Sequence, residues 1–352
     1  MSRALRFALP LASLCLSACG AAPTSTENPT GGLPPPPPGY DVVAPELPSP
    51  TSPEAAAATK GRGDSACLVG ELVYRGSTAG LVIGALTGGG AGTEERSVVY
   101  LRDAGSDVVV KDGVAFVATG PQGIAVIDVS DPRKPRTLAS IETPGAAVRL
   151  ELRDDLLLVA DGSMGAAIVD VTDPRSPRPI AAWRSEGYVK HAIFGDGGAI
   201  YAAQGTAGLS RLAFDGEALT EVWRLDTAGE ARAVSVRGGT ALVADGPAGI
   251  AAIDVSGAAP VEIGRLALAD MARDVVATED GRWAFVASGD DGVITVDVAK
   301  PGSMALANAL ALEKPVNRVR LYGTRLVLGN DSAGLAILDV SEPAKPAKVF
   351  PK

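Results

Sequence analysis

Seven charged or titratable side chains recur along this chain at intervals of 41 to 45 residues. They are Asp64, Asp107, Arg149, His191, Arg232, Arg273 and Arg318. Each lies 16 to 19 residues before a glycine that is itself repeated. Arginine binds carboxylates and phosphates through paired hydrogen bonds, and an ordinary histidine changes charge near neutral pH. The candidate binding residues for an anionic group are therefore Arg149, His191, Arg232, Arg273 and Arg318.

The same pattern has a structural interpretation. Each arginine could pair with an aspartate or a carbonyl group of its own or the next repeat, so that the ring joins the repeats together. His191 is the only histidine in the chain. It is either a satisfied polar residue in the repeat register or a pH-sensitive ligand group. The spacing leaves both alternatives open.

Catalysis has little support in the residues. A serine nucleophile would need His191 as its base, and no Gly-x-Ser-x-Gly motif is present. Cys67 and His191 cannot complete a zinc site by themselves, and no phosphate-binding Gly-x-x-x-x-Gly-Lys motif occurs. We predict no catalytic residue, no metal and no cofactor. A hydrolase or lyase with an unrecognised site is the enzymatic alternative.

The elements that position these residues follow from the repeated glycines. These recur every 41 to 43 residues at Gly80, Gly123, Gly165, Gly208, Gly249, Gly292 and Gly334. In the third repeat, four apolar runs at 147–151, 156–160, 166–171 and 180–183 are separated by polar turns. Four antiparallel strands in about 42 residues are typical of a propeller blade. The sequence therefore predicts an all-β, seven-bladed β-propeller over residues 64–352.

The ends of the predicted blades raise two further questions. Residues 345–350 could complete the last blade alone, or residues near Cys67 could contribute a strand to close the ring. In five repeats the third strand ends on an aspartate, at Asp128, Asp170, Asp254, Asp297 and Asp339. Because these carboxylates occur one per repeat, we expect them to bond the following turn rather than to gather around calcium.

Several repeats resemble a known family. Residues 248–256 read AGIAAIDVS and residues 333–343 read AGLAILDVSEP. They are similar to the LVIVD repeat of secreted and surface proteins of bacteria and archaea. The resemblance covers about residues 64–352, strongly in repeats two, three, five, six and seven and weakly in repeats one and four. It implies a β-propeller outside the cytoplasm and no common reaction, so it assigns no catalytic residue.

The N-terminal residues predict export. Arg3 and Arg6 precede a short apolar run, and Leu16 to Cys19 resembles a bacterial lipoprotein box. We predict a signal peptide at 1–18 and lipidation of Cys19. A disordered, proline-rich tether is predicted at 19–63. Glycine after Cys19 favours the outer membrane, with the domain facing the periplasm or the cell surface. Cys67, in an apolar run, is predicted to be buried; an intermolecular disulfide is the alternative.

The amino-acid composition limits the classes of partner that the protein could bind. The net charge of −9 becomes more negative once the signal peptide is removed, which argues against nucleic acid and leaves the lipid anchor as the only membrane contact. The leading prediction is a lipid-anchored envelope propeller that binds or scaffolds an envelope or surface protein without catalysis. The alternative is a binder of a small anionic molecule or an acidic glycan at the basic ring.

Overall fold

Seven antiparallel sheets follow one another along the part of the chain that the computed structural model describes, residues 37–43, 65–90, 92–330 and 334–351. Each sheet has four strands in chain order, and the second has a fifth strand from the N-terminal segment. The structure thus confirms the predicted seven-bladed propeller. Blade 1 consists of β2 (Ala66–Val69), β3 (Leu72–Ser77), β4 (Gly80–Thr87) and β5 (Gly92–Tyr100), and blade 2 of β6 (Asp107–Lys111), β7 (Val114–Ala118), β8 (Ile124–Asp128) and β9 (Arg136–Glu142), to which β1 (Asp41–Val43) is added. Blade 3 consists of β10 (Arg149–Arg153), β11 (Leu156–Ala160), β12 (Ala166–Asp170) and β13 (Arg178–Trp183), blade 4 of β14 (His191–Phe194), β15 (Ala199–Ala203), β16 (Leu209–Phe214) and β17 (Leu219–Leu225), and blade 5 of β18 (Ala233–Arg237), β19 (Thr240–Ala244), β20 (Ile250–Asp254) and β21 (Val261–Leu266). Blade 6 consists of β22 (Asp274–Ala277), β23 (Trp283–Ala287), β24 (Val293–Asp297) and β25 (Ala305–Leu310), and blade 7 of β26 (Arg318–Tyr322), β27 (Arg325–Asn330), β28 (Gly334–Asp339) and β29 (Ala347–Phe350).

The hydrophobic core lies between the blades. Successive residues of a strand point to opposite faces, and both faces of a blade are covered by its neighbours. In β11, for example, Leu157 and Val159 pack in the cluster shared with blade 2, whereas Leu158 and Ala160 pack in the cluster shared with blade 4. The middle strands are therefore continuous apolar runs rather than alternating ones.

The repeated glycine at the start of the third strand is required by the backbone. Gly165 has a φ of +101°, and a Cβ there would lie 1.9 Å from the carbonyl oxygen of Trp183 on the outer strand. Gly123 has a φ of +75°, and its Cβ would lie 2.0 Å from the carbonyl oxygen of Ile141. Any side chain would clash with the outer strand, which explains why the residue recurs once per blade.

The aspartates that end the third strands bond the turns that follow them. The Ser130 N–H donates to Asp128 Oδ1 at 3.0 Å. Matching bonds of 2.8–3.0 Å run from Thr172, Ser256, Ala299 and Ser341 to Asp170, Asp254, Asp297 and Asp339. These carboxylates act within their own turns, as the structural interpretation predicts.

The ring closes by packing blade 7 against blade 1. β29 completes blade 7 from the last residues of the chain, and β2, which contains Cys67, is the innermost strand of blade 1. Leu68 and Val73 of blade 1 share a hydrophobic cluster with Val327 and Ile337 of blade 7. Of the two closures considered from the sequence, the structure shows the first: the last residues of the chain complete blade 7 without a strand from the residues near Cys67.

Seven residues within the predicted tether, 37–43, lie against the propeller. Strand β1 pairs antiparallel with β9, and the Tyr40 ring is 2 % exposed. The Tyr40 hydroxyl donates to Asp161 Oδ2 at 2.9 Å. The proline content of residues 19–63 predicts disorder. At 37–43, however, the buried Tyr40 side chain and the pairing with the edge of β9 hold the chain on the propeller. We call residues 37–43 the N-terminal strap.

Other predictions lie outside the described residues. They are the signal peptide, the lipidated Cys19, most of the tether, and Asp64 of the ring. Within the residues that the structure describes, no helix is long and apolar enough to cross a membrane.

Candidate functional site

The innermost strands fix the register of the candidate residues. The N–H groups of Lys190, Arg232 and Arg273 each donate to a second-strand carbonyl at 2.8–2.9 Å, and Val148 and Asn317 make the same bond at 2.8 and 3.0 Å. The next register position holds Arg149, His191, Ala233, Asp274 and Arg318. The five predicted residues therefore occupy two registers. A shift of one residue turns a strand side chain to the other side, so Arg232 and Arg273 are not equivalent to Arg149.

Four of the five predicted residues nevertheless share one cavity. We call it the mouth pocket because it lies where the innermost strands begin, and its volume is about 350 Å³. It is lined by Val148, Arg149, Tyr188, Lys190, Arg232, Arg273, Asn317 and Arg318. His191 lies in a second cavity, the lower channel, which Arg149 and Arg318 also line. Sequence reasoning missed Lys190, Tyr188 and Asn317. Counting from the strand register rather than from the glycines would have aligned Lys190 with Arg232 and Arg273.

The cations of the mouth pocket are held by neighbouring side chains. Glu230 bonds both Lys190 and Arg232, and the Arg232 Nη2–Glu230 Oε2 distance is 2.7 Å. The Lys190 hydrogen bond, together with Arg232, lowers the pKa of Glu230. Arg273 Nη1 donates to Asn317 Oδ1 at 2.6 Å. Its Nε is buried and has no hydrogen-bond partner in the described part of the chain. The guanidinium of Arg273 thus keeps an unused donor.

Arg149 has a different role, because its guanidinium is neutralised across the channel. Arg149 in blade 3 forms a bidentate ion pair with Asp274 in blade 6, and these two side chains are 8 % and 3 % exposed. Asp274 also accepts the Val319 N–H at 3.1 Å. Arg320 in blade 7 pairs with Asp107 in blade 2 at 2.7 Å. At Arg149 the arrangement fits the structural interpretation of the ring, since the pair joins opposite blades.

Side chains of alternate blades also cap the free edges of the innermost strands. Asp107 Oδ2 accepts the Leu150 N–H at 2.9 Å, and His191 Nδ1 accepts the Val234 N–H at 3.3 Å. Because Nδ1 is an acceptor, the neutral His191 ring carries its proton on Nε2. Burial lowers the pKa of His191 well below its ordinary value, and Arg149, Arg318 and Arg320 lower it further. The lowered pKa keeps His191 neutral near pH 7 and favours the satisfied polar residue over the pH-sensitive ligand group.

Comparison with known proteins agrees with this geometry. The model of the LVIVD repeat matches residues 102–143, 144–180, 228–267, 269–310 and 316–351, more than half of the chain. The chain belongs to the LVIVD-repeat family. The matched segments are blades 2, 3, 5, 6 and 7, the repeats whose resemblance the sequence predicts to be strong. No curated protein matches the chain in sequence.

Solved structures similar to this LVIVD-repeat protein are other propellers. A Bacteroides fragilis protein, provisionally named a 6-phosphogluconolactonase, is 12 % identical with a TM-score of 0.69, covering 81 % of this chain and 96 % of that one. A Lactobacillus plantarum protein is 13 % identical with a TM-score of 0.69, covering 79 % and 94 %. The WD40 propeller domain of Doa1 is 11 % identical with a TM-score of 0.64, covering 81 % and 94 %. At these identities the likeness shows the fold alone.

The lower channel of the LVIVD-repeat propeller has a volume of about 500 Å³ and contains an unusual carboxyl group. Burial raises the pKa of Glu151 to about 7, although the Phe194 N–H and nearby arginines act in the opposite direction. Cys67 also lines this cavity and is 6 % exposed. Cys67 is thus buried, as the sequence predicts, and this burial raises the pKa of its thiol. In the described ranges, no group of three or more histidine, cysteine, aspartate or glutamate residues could hold a metal ion.

Proposed function

We propose that this propeller is a binding module whose mouth pocket takes a small anionic group, and that it performs no catalysis. One observation carries the proposal. Lys190, Arg232 and Arg273 occupy the same strand position in three consecutive blades and line one cavity of about 350 Å³. That volume falls within the range of roughly 300–1,000 Å³ that is usual for small-ligand pockets.

The arrangement of the cations supports binding because they are oriented before a ligand arrives. Glu230 holds Lys190 and Arg232, and Asn317 holds Arg273. Preorganised side chains lose less conformational entropy when a ligand binds. The Arg273 guanidinium lines the pocket and has, among the described residues, a single hydrogen bond, from Nη1 to Asn317, so it can donate further to an incoming carboxylate or phosphate oxygen.

The only histidine argues for binding rather than catalysis. His191 Nδ1 is occupied by the Val234 N–H, and its pKa is lowered by burial. To act as a general base for a serine, the ring would have to give up this bond. Glu151 has a pKa near 7, but it lies in the lower channel, whereas the basic cluster lines the mouth pocket.

We place the protein at the outer membrane through lipidation of Cys19, which the sequence of the N-terminal segment supports. Replacing Cys19 by serine should release the protein from the membrane fraction of the native cell. Retention of the Cys19→Ser variant in that fraction would contradict the anchor.

The binding proposal is tested by isothermal titration of the purified full chain with acetate, sulfate and phosphate at low salt. Arg232→Ala and Arg273→Ala should each weaken binding about 10- to 100-fold, which corresponds to losing a charge-assisted hydrogen bond. Their melting temperatures should change little, because both residues are partly exposed. Arg136→Ala is the matched control, since the side chain of Arg136 is 80 % exposed and lies outside the pocket.

Two results would contradict the binding proposal. One is that none of the anions binds the native chain. The other is that the two arginine variants lose several degrees of melting temperature and bind anions unchanged. The cluster would then be a structural staple.

A second candidate function is protein scaffolding, favoured by exposed aliphatic side chains on the outer strands of blades 4, 5 and 6. Val222, Val261, Ile263 and Leu306 are 39–56 % exposed. Exposed apolar groups on neighbouring elements are typical of interaction surfaces. Cross-linking in living cells should capture an envelope protein with the native chain but not with a Val261→Thr, Ile263→Thr variant. Equal capture by both would remove this candidate.

A further inference from the structure

An aromatic side chain forms part of the mouth-pocket wall. Tyr188 lies in the connection between β13 and β14 and is 45 % exposed. Its ring lies against Gly162, where a Cβ would be 3.0 Å from ring atoms Cε2 and Cζ. Gly162 also has a φ of +58°. The β11–β12 turn therefore supports the ring from behind, while almost half of the side chain remains exposed at the pocket.

An ionised carboxylate lies in the same rim position of the next blade. Glu230 stands two residues before Arg232, as Tyr188 stands two residues before Lys190. Glu230 remains charged because Lys190 and Arg232 both bond it, and its side chain is still 29 % exposed. A carboxylate at this place repels a polyphosphate but can accept hydrogen bonds from hydroxyl groups.

Three recognition chemistries thus meet at and beside the pocket. Arg273 lines the pocket and offers its guanidinium to an anionic oxygen, and Tyr188 lines it and offers an apolar face. Glu230, which bonds the lining residues Lys190 and Arg232, is an acceptor for hydroxyl groups. Asn317 adds amide donors, because its Oδ1 is already bonded by Arg273. A phosphate ion or an apolar carboxylate would use only the cations and would make no use of the Glu230 carboxylate.

We infer that the ligand is a sugar acid, a hexuronate unit alone or in a glycan, whose carboxylate binds at Arg273, whose hydroxyl groups donate to Glu230, and whose C–H face packs on Tyr188. This inference rests on the proposed function of the mouth pocket as an anion-binding site. It adds the requirement that the anionic group be carried on a polyhydroxylated ring.

The test is a titration of the full chain with glucuronate, galacturonate and mannuronate, compared with acetate, glucose and adenosine monophosphate. At least one hexuronate should bind on the order of tenfold tighter than acetate and glucose, since each of these has only part of the recognised chemistry. Tyr188→Ala should lower hexuronate affinity by about tenfold and leave acetate affinity unchanged. Tyr188→Phe, which keeps the ring, should retain most of the hexuronate affinity.

The failures are distinguishable. If acetate binds as tightly as every hexuronate, or if adenosine monophosphate binds more tightly than all of them, the sugar-acid inference is wrong and the anion-binding function stands. The same holds if Tyr188→Ala weakens acetate and hexuronate equally. If no anion binds, both the inference and the proposed function are wrong.

Discussion

The ion pair between Arg149 and Asp274 spans the channel, and replacing Asp274 by alanine tests whether it holds opposite blades together. The Asp274 carboxylate accepts both Arg149 Nη groups and the Val319 N–H. The Asp274→Ala change would leave the Arg149 side chain, which is 8 % exposed, without its anion. It would also leave the Val319 N–H at the edge of β26 without its acceptor.

The expected loss of unfolding free energy in Asp274→Ala follows from these contacts. Removing one partner of a buried ion pair destabilises a protein by about 3–5 kcal/mol, because the remaining charge stays desolvated. Arg149 borders two cavities that can admit water, so the lower end, about 3 kcal/mol, is expected. Unfolding entropy for a domain of roughly 290 residues is about 0.6 kcal/mol per kelvin. The melting temperature should therefore fall by about 5 °C.

The assay is thermal unfolding of the native chain, Asp274→Ala, Arg149→Met and the double variant. Because the two residues interact directly, the double variant should be less destabilised than the sum of the single variants, with a coupling of about 1–3 kcal/mol. Arg136→Ala is the control and should melt within about 1 °C of the native chain. A shift for Asp274→Ala no larger than the control, or strictly additive effects, would refute the argument that this pair joins blades 3 and 6.

Two further predictions concern buried groups. The pKa of Glu151 is raised to about 7 from an ordinary 4.5, so the stability that protonated Glu151 contributes should be complete below pH 4.5 and be lost as pH rises towards 7, while the unfolded chain ionises first. Glu151→Gln should therefore be more stable than the native chain by up to about 3 kcal/mol at pH 7.5, and equally stable near pH 4. Urea unfolding of both proteins at the two pH values checks this prediction. The same stability difference at both pH values would contradict it. Tyr40→Phe removes the hydroxyl that bonds buried Asp161 and should cost about 1.5–3 kcal/mol. It should also speed proteolysis within the N-terminal strap, whereas unchanged cleavage would show that the hydrogen bond does not hold the strap.

The blade count could be read from the sequence because the signal is local to each repeat. Gly165 and its equivalents in blades 1 to 6 adopt positive φ and allow the outer strand to approach, which explains a glycine at the same place in each of these blades. The turn aspartates, such as Asp128, bond residues only two positions away. Features of this kind depend on a few neighbouring residues, and the glycine period survives even in blades 1 and 4, where the family motif is weak.

The candidate site could be predicted only in part. Counting from glycines placed Arg232 and Arg273 near the mouth, but it aligned them with Arg149, from which they differ by one register position. In blade 5 the spacing equals that of blade 3, so the residue equivalent to Arg149 is Ala233 and the tolerance of the count selected Arg232 instead. In blade 6 a longer first turn moves the equivalent residue, Asp274, to 18 residues before the glycine. Only the hydrogen bonds between the first two strands of each blade resolve the register, and these same bonds reveal Lys190 as the equivalent of Arg232.

The sequence by itself determined the all-β repeat, the number of blades and the basic or titratable groups that open five successive repeats. Only the tertiary structure decided what those groups do. Arg149 and Asp274 are 125 residues apart, and ring closure brings them together as a buried pair. The N-terminal strap is likewise decided by tertiary contact, since Tyr40 finds Asp161 across 121 residues. The physical reason is that backbone geometry is encoded within each repeat, whereas the partner of a charge depends on which distant blade faces it across the channel.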